Sequence, residues 1–294
     1  LHTHTQNRTS KWRQRSNGSH RVSLKNPVMR VKGTVSYDGS SFHGYAVNQD
    51  VKTVAGELDS AFSQILGTEI ITTCAGRTDR GVHAQGQVIS FDVPEGTDLS
   101  KLQHSVNRIC RPWIVVTEFN ETSSEFDARF SANGRTYRYR ILNQKTPNPF
   151  LTSTTWHIPV DLNVEKMKKA SSHFIGTLDF SSFCKRTPPQ DGYRERSLIR
   201  TVESATWSEK DNNILEFEIV ASSFCHQMVR SIVGALVRVG KGQISEKKIP
   251  MILEAQDRQG VGSPAPPHGL ILWSVRYPSV AEDHNRVAEG ESAP

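Results

Sequence analysis

The sequence predicts an α+β fold of two α/β lobes, with mixed, mainly antiparallel sheets flanking a central cleft. Three observations point there. In the first half, β-rich runs and stretches of helical apolar periodicity follow the order strand, helix, strand, strand, helix, strand, as in a split βαβ lobe. The second half repeats the scheme loosely. The chain has 294 residues, 36% of them hydrophobic, enough for two lobes and a sizeable core.

The elements follow in order. Val31 to Tyr37 alternates as a strand does. Val54 to Leu66 places Val54, Leu58, Ala61, Phe62, Ile65 and Leu66 at helical spacing, with Thr53 as the cap and Gly56 weakening the first turn. Glu69 to Ala75 and Gln87 to Val93 are β-rich. Leu99 to Ile109 is a second helix with Leu102, Val106 and Ile109 on one face. Trp113 to Phe119 and Arg135 to Leu142 are further strands. Then come a helix over Val164 to Phe174 and strands over Arg200 to Trp207 and Ile214 to Ala221. An apolar helix spans His226 to Val239 and ends at Gly240. Ser245 caps a short helix through Leu253, and Leu270 to Tyr277 is a last strand. Lys185 to Arg200, with Pro188, Pro189 and Gly192, is a long polar connection of the kind that often serves function.

Composition divides the chain into a basic tail at 1–28, a module at 29–278 with lobes at about 29–142 and 143–278, and an acidic tail at 279–294. Both tails are expected to be disordered. The net charge is +6, but residues 1–37 hold eight basic residues and no acid. The body is therefore close to neutral, and overall basicity alone is poor support for nucleic-acid binding. No apolar run reaches the length of a membrane span, and no apolar signal segment lies near the start. A cytoplasmic location follows, with organelle targeting by the acid-free basic tail as the alternative. Cys74, Cys110, Cys184 and Cys225 lie in no metal-binding spacing and are expected to be free thiols. The eleven histidines form no HxxxH or HExxH, so no metal site is expected.

The stretch 74–91 carries the most chemistry. It places Gly76, Arg77, Asp79, Gly81 and His83 in one turn between apolar runs. Two readings stay open on the residues alone. One is a surface turn in which Arg77 and Asp79 pair. The other is a cleft-facing turn in which a nearby cation keeps Asp79 ionised for nucleophilic attack. Arg230 is likewise open, sitting on the apolar helix either against a buried partner or on an exposed stripe.

Gly76-Arg77-Thr78-Asp79-Arg80-Gly81-Val82-His83-Ala84 resembles the catalytic loop of the TruA-type tRNA pseudouridine synthases. Four further segments resemble family motifs in the family's order: Tyr37 to Gly44, Phe126 to Tyr139, Phe224 to Arg230, and Gly269-Leu270 with Tyr277-Pro278. The resemblance implies the pseudouridine synthase fold and isomerisation of uridine to pseudouridine without a cofactor. It implies tRNA as partner, action in the anticodon stem-loop at tRNA positions 38, 39 and 40, and a homodimer. By the same resemblance Asp79 is the nucleophile. Arg77 fills the space of the flipped base and contacts phosphate, Tyr137 stacks on the uracil and shuttles protons, Arg230 faces the carboxylate, and Leu270 is an apolar floor. Arg80 stands where Ala is common and adds a cation for phosphate. Tyr45-Ala46-Val47-Asn48-Gln49 departs from the family's Gly-Trp-Gln. His83 is expected to brace the turn. Two other classes compete: a non-catalytic RNA-binding protein, which has no need of Asp79, and a hydrolase using Asp79 and His83, which lacks a second carboxylate.

Overall fold

The computed structural model describes residues 27–186 and 197–278. Outside the described residues lie 1–26 of the basic tail, the acidic tail, and the middle of the polar connection with Pro188, Pro189 and Gly192. The first strand, β1 (Val28–Tyr37), leads to α1 (Val54–Leu66), β2 (Thr73–Cys74), β3 (His83–Pro94), α2 (Leu99–Cys110), β4 (Ile114–Glu121) and β5 (Gly134–Asn143). The second half adds β6 (Trp156–Ile158), α3 (Val164–Ser171), β7 (Gly176–Asp179), β8 (Ile199–Lys210), β9 (Ile214–Ala221), α4 (Met228–Gly240), α5 (Lys248–Ala255) and β10 (Leu270–Arg276).

The strands form one sheet in the order β4-β1-β3-β10-β5-β9-β8-β7, with β2 on β3 and β6 on β5. Two pairings, β10–β3 and β6–β5, are parallel and the rest antiparallel. The fold is thus α+β with a mixed, mainly antiparallel sheet. The last strand sits between β3 and β5, where Ile271 pairs with His83 and Leu272 with Tyr137. The end of the chain therefore joins the first-half strands to the second-half strands.

Helix α1 begins where Thr53 Oγ1 accepts the Gly56 N–H, and ends at Gly67 in the left-handed region. Its buried face presents Leu58 and Phe62, and Phe62 stacks on Phe91 with ring centroids 4.5 Å apart. Burying each such side chain contributes roughly 1.5–3 kcal/mol. At the other end Phe174 meets Phe180 and Phe183. Helix α4 is buried all round except at Arg230 and Arg238. Both of those guanidiniums donate to carbonyls of the segment 260–265, Arg238 to Gly260 and Val261, Arg230 to Ala265.

Four departures from expectation have local causes. Residues 69–72 are not strand, because α1 takes their backbone donors: Ser63 Oγ accepts from Ile70 N and Asp59 Oδ1 from Thr72 N. Helix α4 starts at Met228 rather than His226, since Gln227 holds a left-handed φ of 64°. Ser245 does not cap α5; its hydroxyl accepts from Lys247 N, one residue before the helix. Finally, Cys184 and Cys225 are not free thiols but form a disulfide across 41 residues, with Cα atoms 5.6 Å apart. The two loops are also tied by Lys185 N–H donating to His226 O at 2.8 Å. Wide sequence spacing hid a pair that tertiary folding brings together.

Two stability measurements follow. Urea unfolding of the oxidised protein against Cys184→Ser/Cys225→Ser should show a loss of about 2–4 kcal/mol, as expected for releasing a loop of this length; equal stabilities would mean the bond does not form. Burial raises the Asp59 carboxyl from 3.8 to about 6 against the opposing hydrogen bonds from Thr72. Its contribution is full below the unfolded value and is lost as pH rises through about 6. Asp59→Asn keeps an acceptor for Thr72 without the charge. It should match wild type near pH 4 and exceed it by up to about 3 kcal/mol at pH 7.5.

Candidate active site

The turn between β2 and β3 is fixed from its core side before any functional group is considered. Gln87 on β3 is fully buried. Its side-chain amide accepts from Gly76 N at 3.2 Å and donates to Gly76 O at 2.6 Å. Buried Thr78 shares a hydroxyl hydrogen bond of 2.8 Å with Tyr37. Thr78 O also accepts from Tyr45 N. Gly44 makes that approach feasible: it sits at φ 101°, and a Cβ there would lie 3.1 Å from Thr78 O. The turn closes with Val82 N–H donating to Asp79 O at 3.1 Å.

His83 starts β3 and is buried. Its Nδ1 receives the Gly39 N–H at 3.0 Å and has Asp38 Oδ1 3.1 Å away. Its Nε2 faces two carbonyls, Ser153 at 2.9 Å and His268 at 3.1 Å, and so carries the proton. Every polar position of the ring is used by the protein. The imidazole is a brace joining four segments, as the sequence suggested, and has no atom left to act as a base.

Asp79 sits at the tip of the turn with its side chain one-quarter exposed. Arg230, 13% exposed, donates from Nη1 to Asp79 Oδ2 at 3.1 Å. Arg230 Nε is committed to Ala265 O at 2.7 Å, so the guanidinium bridges a fixed carbonyl and the carboxylate. This decides the position left open in the sequence: Arg230 faces a partner and not solvent. The second Asp79 oxygen, Oδ1, has His226 Nε2 3.4 Å away. Arg77 is not an ion-pair partner of Asp79 among the described residues; it is exposed and turned toward the cleft.

A cleft of about 440 Å³ opens over Asp79. Arg77, Arg80 and Arg230 line it together with His43 and His226, and Asp79 is the one acid among its described lining residues. The near-neutral body thus concentrates positive charge where the carboxylate is, which favours a polyanionic substrate. Residues 43–48 form another wall.

Tyr137 is buried on β5, edge-on to Phe224 at 5.1 Å. Its hydroxyl lies beside Gly76, 3.7 Å from where a Cβ would stand. Burial first, and the Asp79 charge second, push the phenol well above its ordinary value, so it is protonated at neutral pH. Leu272, paired with Tyr137 across β5–β10, also approaches Gly76. Leu270 is buried two residues away on the same strand face and pairs with Tyr139; it does not line the cleft over Asp79. The Cys74 thiol, pushed up to about 12 by burial, is a core group rather than a nucleophile.

Sequence inspection included His226, His43 and Val47 in its motif segments but gave none of them a place in the site. His226 is 147 positions from Asp79 and outside the helix, so no periodicity links the two.

Comparison with known proteins identifies relatives of the chain. A family model described as tRNA pseudouridine synthase matches residues 170–278. The tRNA pseudouridine synthase A of Bacillus subtilis is 39% identical over 252 residues, covering 85% of this chain and 99% of that protein. The tRNA pseudouridine synthase A of Pseudothermotoga lettingae is 38% identical over 250 residues, covering 85% of this chain and all of the relative. Identity of this extent, over 85% of this chain and nearly all of each relative, places the chain in the tRNA pseudouridine synthase family.

Proposed function

We propose that this protein, as an isomerase of that family, converts uridine to pseudouridine in the anticodon stem-loop of tRNA, at positions 38, 39 and 40, with Asp79 as nucleophile. The observation that carries the reading is Asp79, the one carboxylate among the described lining residues of the cleft, anchored by Arg230 with Arg77 and Arg80 in the same lining. Hydrolysis by an acid pair needs a second carboxyl group facing the first. The described lining residues offer none, and His83 is fully engaged elsewhere. A purely RNA-binding role would gain nothing from a carboxylate placed against phosphates.

The chemistry is an internal transfer. Asp79 adds at C1′ or at C6 of the ring, the N1–C1′ bond breaks, the uracil turns and C5 bonds to C1′; the Asp79 carboxylate is then released, displaced from C1′ by C5 or eliminated from C6. The C5 proton leaves and N1 gains one, so atoms and charge balance with no external reactant. Arg230 keeps the carboxylate aimed. The resemblance gives Tyr137, which lies buried beside Gly76 and outside the cleft lining, the role of stacking on the flipped uracil, with its O–H protonated at neutral pH. Extrusion of a base costs a few kcal/mol. Exposed Arg77 has the planar charged fork to occupy the vacated space, and Arg80 adds a phosphate contact. The resemblance further supports a homodimer gripping one tRNA across both subunits.

The direct test is to incubate unmodified tRNA transcripts with the protein and map pseudouridine by nucleotide. New pseudouridine is expected at positions 38, 39 and 40 only. Asp79→Asn should form none while binding tRNA normally, because affinity is spread over many cations. Turnover by Asp79→Asn in a preparation free of host enzyme would sink the assignment. Arg230→Ala should lower the single-turnover rate by about 10- to 100-fold, the kinetic equivalent of one lost charge-assisted hydrogen bond. Arg230→Lys should recover only part of it, since Lys cannot hold Ala265 O and Asp79 at once. A normal rate in Arg230→Ala would remove it from the site.

A further inference from the structure

Asp79 presents two oxygens, and the Arg230 bond fixes one of them. A carboxylate held at a single oxygen can still turn about its Cβ–Cγ bond; a second point fixes its plane. The other oxygen, Oδ1, has His226 Nε2 as its neighbour at 3.4 Å. The imidazole is about half exposed and lines the cleft, so core packing does not explain its place. Its backbone, by contrast, is held from several directions. Cys225 is bonded to Cys184, Lys185 N–H donates to His226 O, and Met228 N–H donates to Cys225 O at 3.1 Å. On its far side Gln227 adopts a left-handed φ of 64°, a conformation that costs energy in any residue but glycine. That turn separates His226 from the start of α4, and so lets His226 and Arg230 approach the carboxylate from different backbone elements.

We infer that His226 is a positioning residue for Asp79. With RNA bound, its Nε2–H closes onto Oδ1 and, with Arg230 on Oδ2, fixes the plane of the carboxylate for attack. The 3.4 Å separation suits this, since hydrogen bonds of catalytic groups are commonly long before substrate binds and tighten in the complex. The inference rests on Asp79 being the nucleophile.

The test compares His226→Gln, His226→Asn and His226→Phe with wild type and Asp79→Asn, in single-turnover isomerisation and in tRNA affinity. Gln carries an amide N–H near the former Nε2, whereas Asn places its amide too short to reach Oδ1. Gln should keep most of the wild-type rate. Asn and Phe should each lose about tenfold in rate, with tRNA Kd within about twofold of wild type. Gln and Asn are both polar and tolerated at a half-exposed site, so they decide the matter should Phe disturb the fold. Wild-type rates in Asn and Phe would overturn the inference, as would a loss confined to Kd or a Gln variant no better than Asn. An active Asp79→Asn would instead overturn the nucleophile assignment, so the two failures are distinguishable.

Discussion

One ion pair organises this molecule: a carboxylate on a turn and a guanidinium on a buried helix, 151 residues apart in sequence and 3.1 Å apart in space. Removing either partner would strand a partly desolvated charge, so each element has to be delivered accurately. On the carboxylate side, Gln87, Tyr37 and the backbone at Gly44 fix the turn against β1 and β3. On the guanidinium side, α4 lies close to the segment 263–265. Gly234 allows that approach, for a Cβ there would come within 3.3 Å of Ala265 N and still nearer to Ser263 O. Ala265 N–H in turn donates to Arg230 O, and Ala265 O receives Arg230 Nε. The arginine is locked before it meets the acid.

The electrostatics of the cleft have a second consequence. Net charge suggests little affinity of the body for nucleic acid, yet three arginines converge beside Asp79. Where charge sits matters more than how much there is. One of those cations, Arg230, also holds the Asp79 carboxylate in place, so the charge that favours a polyanion and the charge that anchors the acid share a residue.

The sequence made some of this legible and concealed the rest for physical reasons. Helix α1 was readable to the residue because Thr53 and the apolar stripe are local signals, each acting within a turn or two. Strand β9 was readable from alternation alone. The start of α4 was misread because apolar periodicity continues through Gln227, whose left-handed backbone leaves no mark in composition. The Cys184–Cys225 bond and the approach of His226 to Asp79 depend on chain segments far apart, and periodicity reports only neighbours. Asp79 itself stood out through motif resemblance; its residues alone could not separate a surface pair from a buried one.

The position of β10 has a bearing on how the chain matures. Residues 270–276 fill the slot between β3 and β5, so a nascent chain growing from its N-terminus exposes two open strand edges until nearly all of the described residues have been synthesised. Open edges template wrong pairing and aggregation. The same late strand brings the carbonyl of His268 to His83 beside the Asp79 turn. Biogenesis thus has a built-in order: the turn that bears Asp79 acquires its last brace only when the sheet is sealed.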